Sequence, residues 1–409
     1  MSPPRAGMRT RLVAARLRGE DASGALDTPI HSAVTFVPPG PGAVASYDYS
    51  RSGNPTRGAL EERVAALEGA RAAFAFASGM AAVASVLMLF RAGDHLLVTR
   101  DCNGGTVRLI DGVFGQLGLG ASYVDTRDPQ ELERARRETT RAVLVENFSN
   151  PHLYVTDVAQ VAAWARERNL LVIVDSTVLT PLLARPLEQG AHIVVHSATK
   201  LLSGHGDVTA GLVAVGSEDL AHRVAFVQNA VGAVLSPHDS WLVLRGMKTL
   251  AVRLERAQAT ALKLATFLAG QAGVRRVFYP ALPAHPGHEL LSRVASGPGQ
   301  IVSFELAPGL CDGFLARLRL VPQGPGFGTV TTIISRPAVH CHACLTDAQR
   351  EERDIGGDLL RLSVGLEDVR DLRRDLGQAL LAARRAAVRR LPPSPGAPMS
   401  GQGVRGGTR

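Results

Sequence analysis

Only three lysines occur in the 409 residues, and Lys200 stands apart from the other two. Lys248 and Lys263 fall on amphipathic helical patterns that carry an ordinary solvent-facing cation. Lys200 ends the apolar stretch "IVVHSATK" and precedes the glycine-bearing turn "LLSGHG". An amine so placed, after a strand and among small residues, suits a buried nucleophile better than a solvated charge. Asp175 closes another apolar run, "LLVIVD", and Ser197 and Thr199 flank the lysine with hydroxyls. Ser78-Gly79-Met80 opens a helical pattern whose first N–H groups are free to meet an anion. A lysine amine, a strand-ending carboxylate and an anion cradle are the parts that pyridoxal phosphate demands. The amine forms the Schiff base, the carboxylate keeps the pyridine nitrogen protonated, and the cradle anchors the phosphate.

The elements that must position these groups are legible as alternation. Short apolar runs ("AAFAFA", "HLLVT", "ASYVD", "AVLVEN", "LLVIVDS", "HIVVHS", "TAGLVAVG") are separated in several places by helical patterns such as "VAQVAAWARERN". Strands alternating with helices predict an α/β fold with a mostly parallel, doubly wound sheet covered on both faces. Ligands in such sheets sit beyond the carboxyl ends of the strands. The polar residues there are Ser78 to Met80, Asp101 to Asn103, Glu146 to Asn150, Asp175 to Thr177, and Ser197 to Lys200.

Length and composition set the organisation. Single cores stop growing near roughly 250–300 residues, so two domains are expected. Residues 1–58 read as an extended arm rich in proline, glycine and turn signals, and 59–255 as the large domain. Residues 256–390 read as a smaller C-terminal α/β domain, and the Pro/Gly/Ser-rich stretch 391–409 as a disordered tail. The net charge of +8 does not make a nucleic-acid reading, because the arginines are scattered along helical patterns and aromatics are only 5%. Four cysteines in a chain this long are no disulfide framework, and no apolar run approaches the roughly 18 residues that span a bilayer. The N-terminus carries no secretory signal pattern, so a reduced, cytoplasmic setting is the expectation, without a membrane or nucleic-acid partner.

The chain resembles the Cys/Met-metabolism family of pyridoxal-phosphate enzymes, which holds cystathionine γ-synthase, cystathionine γ- and β-lyases, methionine γ-lyase and O-acylhomoserine sulfhydrylases. The resemblance runs from about residue 28 to 387 and rests on "YDYSRSGNPTRGALEERVAALEG", "ASGMAA", "DCNGGTVRL", "VENFSNP", "IVDSTVLTPLLARPLEQGAHIVVHSATKLLSGHGDVTAG", "LRGMKTLAVRLERAQ" and "LLRLSVGLEDVRDL". It implies the transferase fold of type I, with Lys200 in aldimine linkage to the cofactor and Asp175 at its pyridine nitrogen. Ser78, Gly79, Met80, Ser197 and Thr199 would bind the phosphate, and Asn150 would sit near the ring hydroxyl. Arg361 would pair with the substrate's α-carboxylate, the bidentate geometry that suits amino-acid capture. Read without the resemblance, Arg361 is a surface arginine on an edge strand. Tyr49 and Arg51 would reach the phosphate of a neighbouring subunit, in a homotetramer built as a dimer of dimers. The implied reaction is γ-elimination or γ-replacement on a cystathionine-, methionine- or O-acylhomoserine-like amino acid.

Three stretches depart from the family pattern. Asn103 stands where the family places a tyrosine that stacks on the cofactor, and an amide neither stacks comparably nor titrates near neutral pH. Pro325 and Gly326 replace a Glu-Ser pair that helps choose the substrate, and "RPAVHCHAC" replaces "HPASMTHA". His340, Cys341, His342 and Cys344 have soft-ligand chemistry, but four ligands within five residues are awkward for a closed metal site, so no metal is expected. The alternatives left open are a β C–S lyase, a specialised enzyme of secondary metabolism, and a cofactor-binding protein that has lost turnover.

Overall fold

The computed structural model describes residues 6–13, 24–38, 40, 42 and 46–390. Its largest element is a seven-stranded sheet formed by β1 (Ala72–Phe76), β2 (His95–Thr99), β3 (Gly120–Val124), β4 (Thr140–Glu146), β5 (Leu171–Asp175), β6 (Ile193–Ser197) and β7 (Gly211–Val215). The strands lie in the order β1-β7-β6-β5-β4-β2-β3. These are the seven apolar runs of the sequence. Their central residues (Leu97 and Val98, Val143 to Val145, Val172 to Val174) are buried, because helices close both faces.

The sheet is parallel from β3 through β2, β4 and β5 to β6, while β7 runs antiparallel to both β1 and β6. The connection from β6 to β7 explains the reversal. It holds turns and no helix, and a parallel return would need a crossover. The same connection carries Lys200, so the lysine lies where the chain doubles back rather than at the head of a crossover helix.

A four-stranded antiparallel sheet follows, made of β8 (Val274–Phe278), β9 (Ile301–Leu306), β10 (Ile333–Ser335) and β11 (Leu359–Ser363) in the order β10-β11-β9-β8. Helices Leu250–Ala269 and Val369–Arg390 close it, with Leu264, Leu268, Leu372 and Leu376 packed on Val302, Phe304 and Leu362. The arm is not wholly extended: Met8–Val13 form a short helix whose Leu12 is buried, fixed by Arg63 donating to the carbonyls of Arg11 and Leu12. The expected tail, 391–409, lies outside the described residues. Among the described residues no helix is long and apolar enough to cross a membrane.

Register places the polar strand ends together. Glu146 pairs with Asp175 across β4 and β5, and Ser197 pairs with Gly211 across β6 and β7. Gly211 must stay small, since a Cβ there would overlap the carbonyl oxygen of Ser78 and lie 2.6 Å from its carbon. Gly211→Ala is therefore expected to lower stability by about 3 kcal/mol through forced backbone displacement, read as a fall in the thermal unfolding midpoint.

Candidate active site

Beyond the carboxyl ends of these strands lies a cavity of about 280 Å³. Its wall includes Ser78, Gly79, Met80, Asn103, Asn150, Asp175, Ser197, Thr199 and Lys200. Nine of the sequence-derived candidates thus meet in one place.

The anion cradle comes from the helix Gly79–Leu87. Ser78 caps it, its Oγ accepting from the N–H of Ala81 at 3.0 Å, which leaves the N–H groups of the first turn facing out of the helix. Gly79 lets that end close on β6, because a Cβ there would lie 2.7 Å from Ser197 Cβ. Thr199 is partly committed: its hydroxyl donates to the carbonyl of Ala210 at 3.2 Å and accepts from the Ala210 N–H at 2.9 Å.

Asp175 lies at the cavity floor. Its Oδ1 accepts from the Thr177 N–H at 2.9 Å, and Thr177 Oγ1 in turn accepts from the Ser197 N–H at 2.8 Å. Burial pushes the Asp175 carboxyl above its ordinary pKa, and the hydrogen bonds of Thr177 pull against that rise. Among the described residues no cation forms an ion pair with it, so a buried carboxylate waits for a positive partner. Next to it, Glu146 Oε1 accepts from the Asn103 N–H at 2.6 Å. Burial, then the charge of Asp175, pushes the Glu146 carboxyl well above the usual range.

Lys200 is half-buried, and its Nζ lies 5.1 Å from the centre of the Phe327 ring. Burial, with the charge of Arg361 second, lowers its pKa, while Cys341 acts the other way. Arg361 faces the same ring at 5.0 Å. Far from lying on an edge, it sits in β11 between β10 and β9 and is 2% exposed. Its Nη1 donates to Asn150 Oδ1 at 2.8 Å and its Nη2 to the Gly326 carbonyl at 3.0 Å, but its Nε has no partner. No acid among the described residues pairs with it. A lysine amine of depressed pKa and an unneutralised guanidinium therefore share one aromatic wall, an arrangement that can receive an amino group and a carboxylate together.

The remaining candidates fall elsewhere. Asn103 does not provide a stacking surface; its Oδ1 caps the helix Gly104–Leu109 by accepting from the Gly105 N–H at 2.8 Å. Tyr49 and Arg51 do not line the cavity of their own chain. Tyr49 is exposed, and Arg51 lies 5.7 Å over its ring and donates to the Asn229 carbonyl at 3.3 Å. The "HCHAC" segment disperses its side chains: Cys341 Sγ lies 3.1 Å from His342 Nδ1, while Cys344 Sγ donates to the Gly104 carbonyl at 3.2 Å. Among the described residues no group of three or more His, Cys, Asp or Glu is placed to hold a metal ion.

Wall residues that carried no role from sequence include Glu146, Phe148, Thr177 and Phe327. Glu146 and Thr177 stand at strand ends, where the fold class already directs attention. Phe327 lies in the divergent segment that contains Pro325 and Gly326. Its position is enforced by Gly328, where a Cβ would come within 2.7 Å of the Leu201 nitrogen, directly after the catalytic candidate Lys200.

The model of the family described as Cys/Met metabolism PLP-dependent enzyme matches residues 9–381. The chain is 43% identical to cystathionine gamma-lyase of Bacillus subtilis (strain 168) over 373 residues, 91% of this chain and 98% of that one. It is 44% identical to cystathionine beta-lyase of Lactococcus lactis subsp. cremoris (strain MG1363) over 374 residues, with the same two coverages, 91% and 98%. Among solved structures, cystathionine gamma-lyase from Lactobacillus plantarum complexed with L-serine superposes with a TM-score of 0.90 at 39% identity, covering 93% of this chain and 100% of that one. Cystathionine gamma synthase from Xanthomonas oryzae pv. oryzae, in complex with aminoacrylate and cysteine, gives a TM-score of 0.91 at 37% identity, covering 93% and 99%.

Proposed function

Because the chain belongs to the Cys/Met-metabolism family of pyridoxal-phosphate-dependent enzymes, we propose that it eliminates or replaces a sulfur-bearing or γ-activated group on an L-amino acid. The observation that carries this reading is the pairing of Lys200 and Arg361 across the Phe327 ring, at 5.1 and 5.0 Å. The cofactor fits the residues present: Asp175 is a carboxyl with no ion pair among the described residues, its pKa raised by burial, and Gly79 gives the helix end the close approach a phosphate needs. Ser78, Gly79, Met80, Ser197 and Thr199 would hold the phosphate, and Asp175 and Asn150 the ring. When bound, pyridoxal phosphate supplies an electron sink for charge developing at the substrate's α-carbon.

The chain's own groups do the rest. Arg361 fixes the carboxylate and so orients the α-carbon's bond to hydrogen. Lys200 Nζ, with a pKa lowered by burial, is available as the base that takes the α-proton and later returns it. Loss of a β-substituent needs only that first proton removal, whereas loss of a γ-substituent needs a second, at the β-carbon. Both outcomes are open to these residues. Glu146 holds the Asn103 backbone in place. Tyr49 and Arg51, absent from their own cavity, are proposed to complete that of a neighbouring subunit, in a dimer of dimers.

The test is an absorbance spectrum of the purified protein titrated with a panel of L-amino acids, together with release of 2-oxo acid and ammonia. A bound-cofactor band perturbed by L-cystathionine-like substrates supports the reading. No band after added pyridoxal phosphate would sink it.

A second reading, a member with altered substrate choice, is favoured by Asn103 and the Pro325-Gly326 pair. Gly326, next to the wall residue Phe327, has φ +139, and a Cβ on it would meet nothing within 4 Å, so this position offers no side chain to a substrate. Ordinary family turnover of both L-cystathionine and L-methionine would refute it. Asn103→Tyr is expected to lose the helix cap, at about 1 kcal/mol, while shifting the cofactor absorbance and the turnover number. Unchanged absorbance and rate would count against the altered choice.

A further inference from the structure

We propose that Cys341 is a thiol–disulfide exchange site for carboxylate-bearing disulfides of the cystine type, with Arg361 as the group that docks them. The proposal rests on the reading of Arg361 as a carboxylate anchor. Cys341 Sγ lies 3.8 Å from Arg361 Nη1. That guanidinium is buried, its Nε is unpartnered, and no described acid neutralises it, so an anion that seats on it lies beside the thiol. In an amino-acid disulfide only two carbons separate the carboxylate carbon from the sulfur, so one half-molecule spans from guanidinium to thiol.

The turn that carries the thiol is held in place. The Cys341 carbonyl closes over Gly104, where a Cβ would overlap it and would lie 3.0 Å from Cys344 Sγ. Cys341 and Cys344 share this turn but not their surroundings. Cys344 is exposed, and its thiol contacts the Gly104 carbonyl. Cys341 is half-buried, its Sγ lies against Arg361 and His342, and the charges of Lys200 and Glu146 act on it from farther off. Burial raises the Cys341 pKa and Arg361 opposes the rise, so exchange is governed by delivery of the disulfide rather than by an abundant thiolate.

The exchange is balanced. The Cys341 thiol gives up its proton, and its sulfur bonds to one sulfur of the disulfide. The S–S bond breaks, and the departing half takes the proton as a free thiol. The captured half keeps its carboxylate on Arg361 and so occupies the place of the substrate's own carboxylate. A small thiol reverses the step. The result is an enzyme switched off by the oxidised form of the sulfur amino acids it handles.

The experiment uses the full-length holoenzyme and two probes: dithiodipropionate, which is cystine without the amino groups and cannot be turned over, and the uncharged hydroxyethyl disulfide. Peptide mass spectrometry reads the adduct on each cysteine over time. Dithiodipropionate is expected to modify Cys341 ahead of the exposed Cys344, with a preference over the neutral disulfide of roughly tenfold or more, the worth of one charge-assisted contact. Activity should fall with the Cys341 adduct and return with dithiothreitol, and Cys341→Ser should stay active under the same treatment. Equal reaction of Cys341 with both disulfides, or modification confined to Cys344, would overturn the proposal. If Arg361→Gln binds amino acids normally, the anchor reading itself has failed. If that variant loses amino-acid affinity and the charge preference at Cys341 is still missing in the parent protein, only the exchange site is lost.

Discussion

Lys200→Ala should abolish turnover, by on the order of 10³-fold or more, and remove the absorbance of covalently held cofactor in the same stroke. Both effects follow from one atom. Nζ is the amine at the cavity's aromatic wall, and neither Lys248 nor Lys263 lies on that wall. Added small amines should restore part of the rate if the amine acts as a base, because they re-supply the proton acceptor without the tether. The same substitution has a stability signature in the apoprotein. Burial holds the Lys200 pKa below its unfolded value, so between the two values the unfolded chain binds more protons than the folded one. Stability therefore rises with pH through that window, up to the unfolded pKa. The variant should lose this increment, seen as a flatter dependence of the apoprotein's unfolding midpoint on alkaline pH. A variant that keeps the cofactor band and most of its rate would displace Lys200 from the centre of the reaction.

The parts of the fold that sequence exposed are those where burial leaves no choice of residue. β1, β2 and β4 to β7 are apolar nearly throughout, since helices cover both faces, and a run such as "LLVIVD" is short enough to read as a strand rather than a helix. The direction of β7 was not legible, because it depends on the turns after Lys200 failing to form a crossover helix, a matter of tertiary packing. β10 is three residues long and has no period to read. Among the site residues, Lys200, Asp175 and Ser78 to Met80 could be found as polar ends of apolar strands. Arg361 could not: within "LLRLS" a buried guanidinium and an edge cation look alike, and only the placement of β11 between β10 and β9 separates them. Phe327 was hidden for a related reason. Its role depends on Gly328 pressing the segment onto Lys200-Leu201, a contact between residues far apart in the chain. Tyr49 and Arg51 illustrate the limit from the other side, since within one chain Arg51 stacks on Tyr49 and reaches the Asn229 carbonyl, away from the cavity.

Arg361→Gln is the substitution in which function and stability should part company. Removing a buried guanidinium from a bound carboxylate costs about 2–5 kcal/mol, so KM for amino-acid substrates should rise by roughly 30- to 4 × 10³-fold. A decarboxylated amine analogue, which never used the guanidinium, should bind the variant and the parent alike. Among the described residues, however, no acid pairs with Arg361, and its buried Nε has no partner. An uncompensated buried charge destabilises the fold that holds it, so the neutral amide should leave the unfolding midpoint unchanged or raise it. Arg57 supplies the contrast. It is equally buried at 2% exposure but faces Glu61 at 3.6 Å and donates to the Ser50 and Arg51 carbonyls at 2.7 and 3.0 Å. Arg57→Gln leaves Glu61 without its cation and should lower stability by about 3 kcal/mol. Two buried arginines of equal exposure should thus respond differently, one substitution lowering the midpoint and the other not, because one is neutralised by the chain and the other is proposed to meet a ligand. Calorimetric unfolding of the two variants, set beside KM for an L-amino acid, decides it. A fall in midpoint for Arg361→Gln as large as that for Arg57→Gln would mean that Arg361 is a structural ion whose partner lies within the protein.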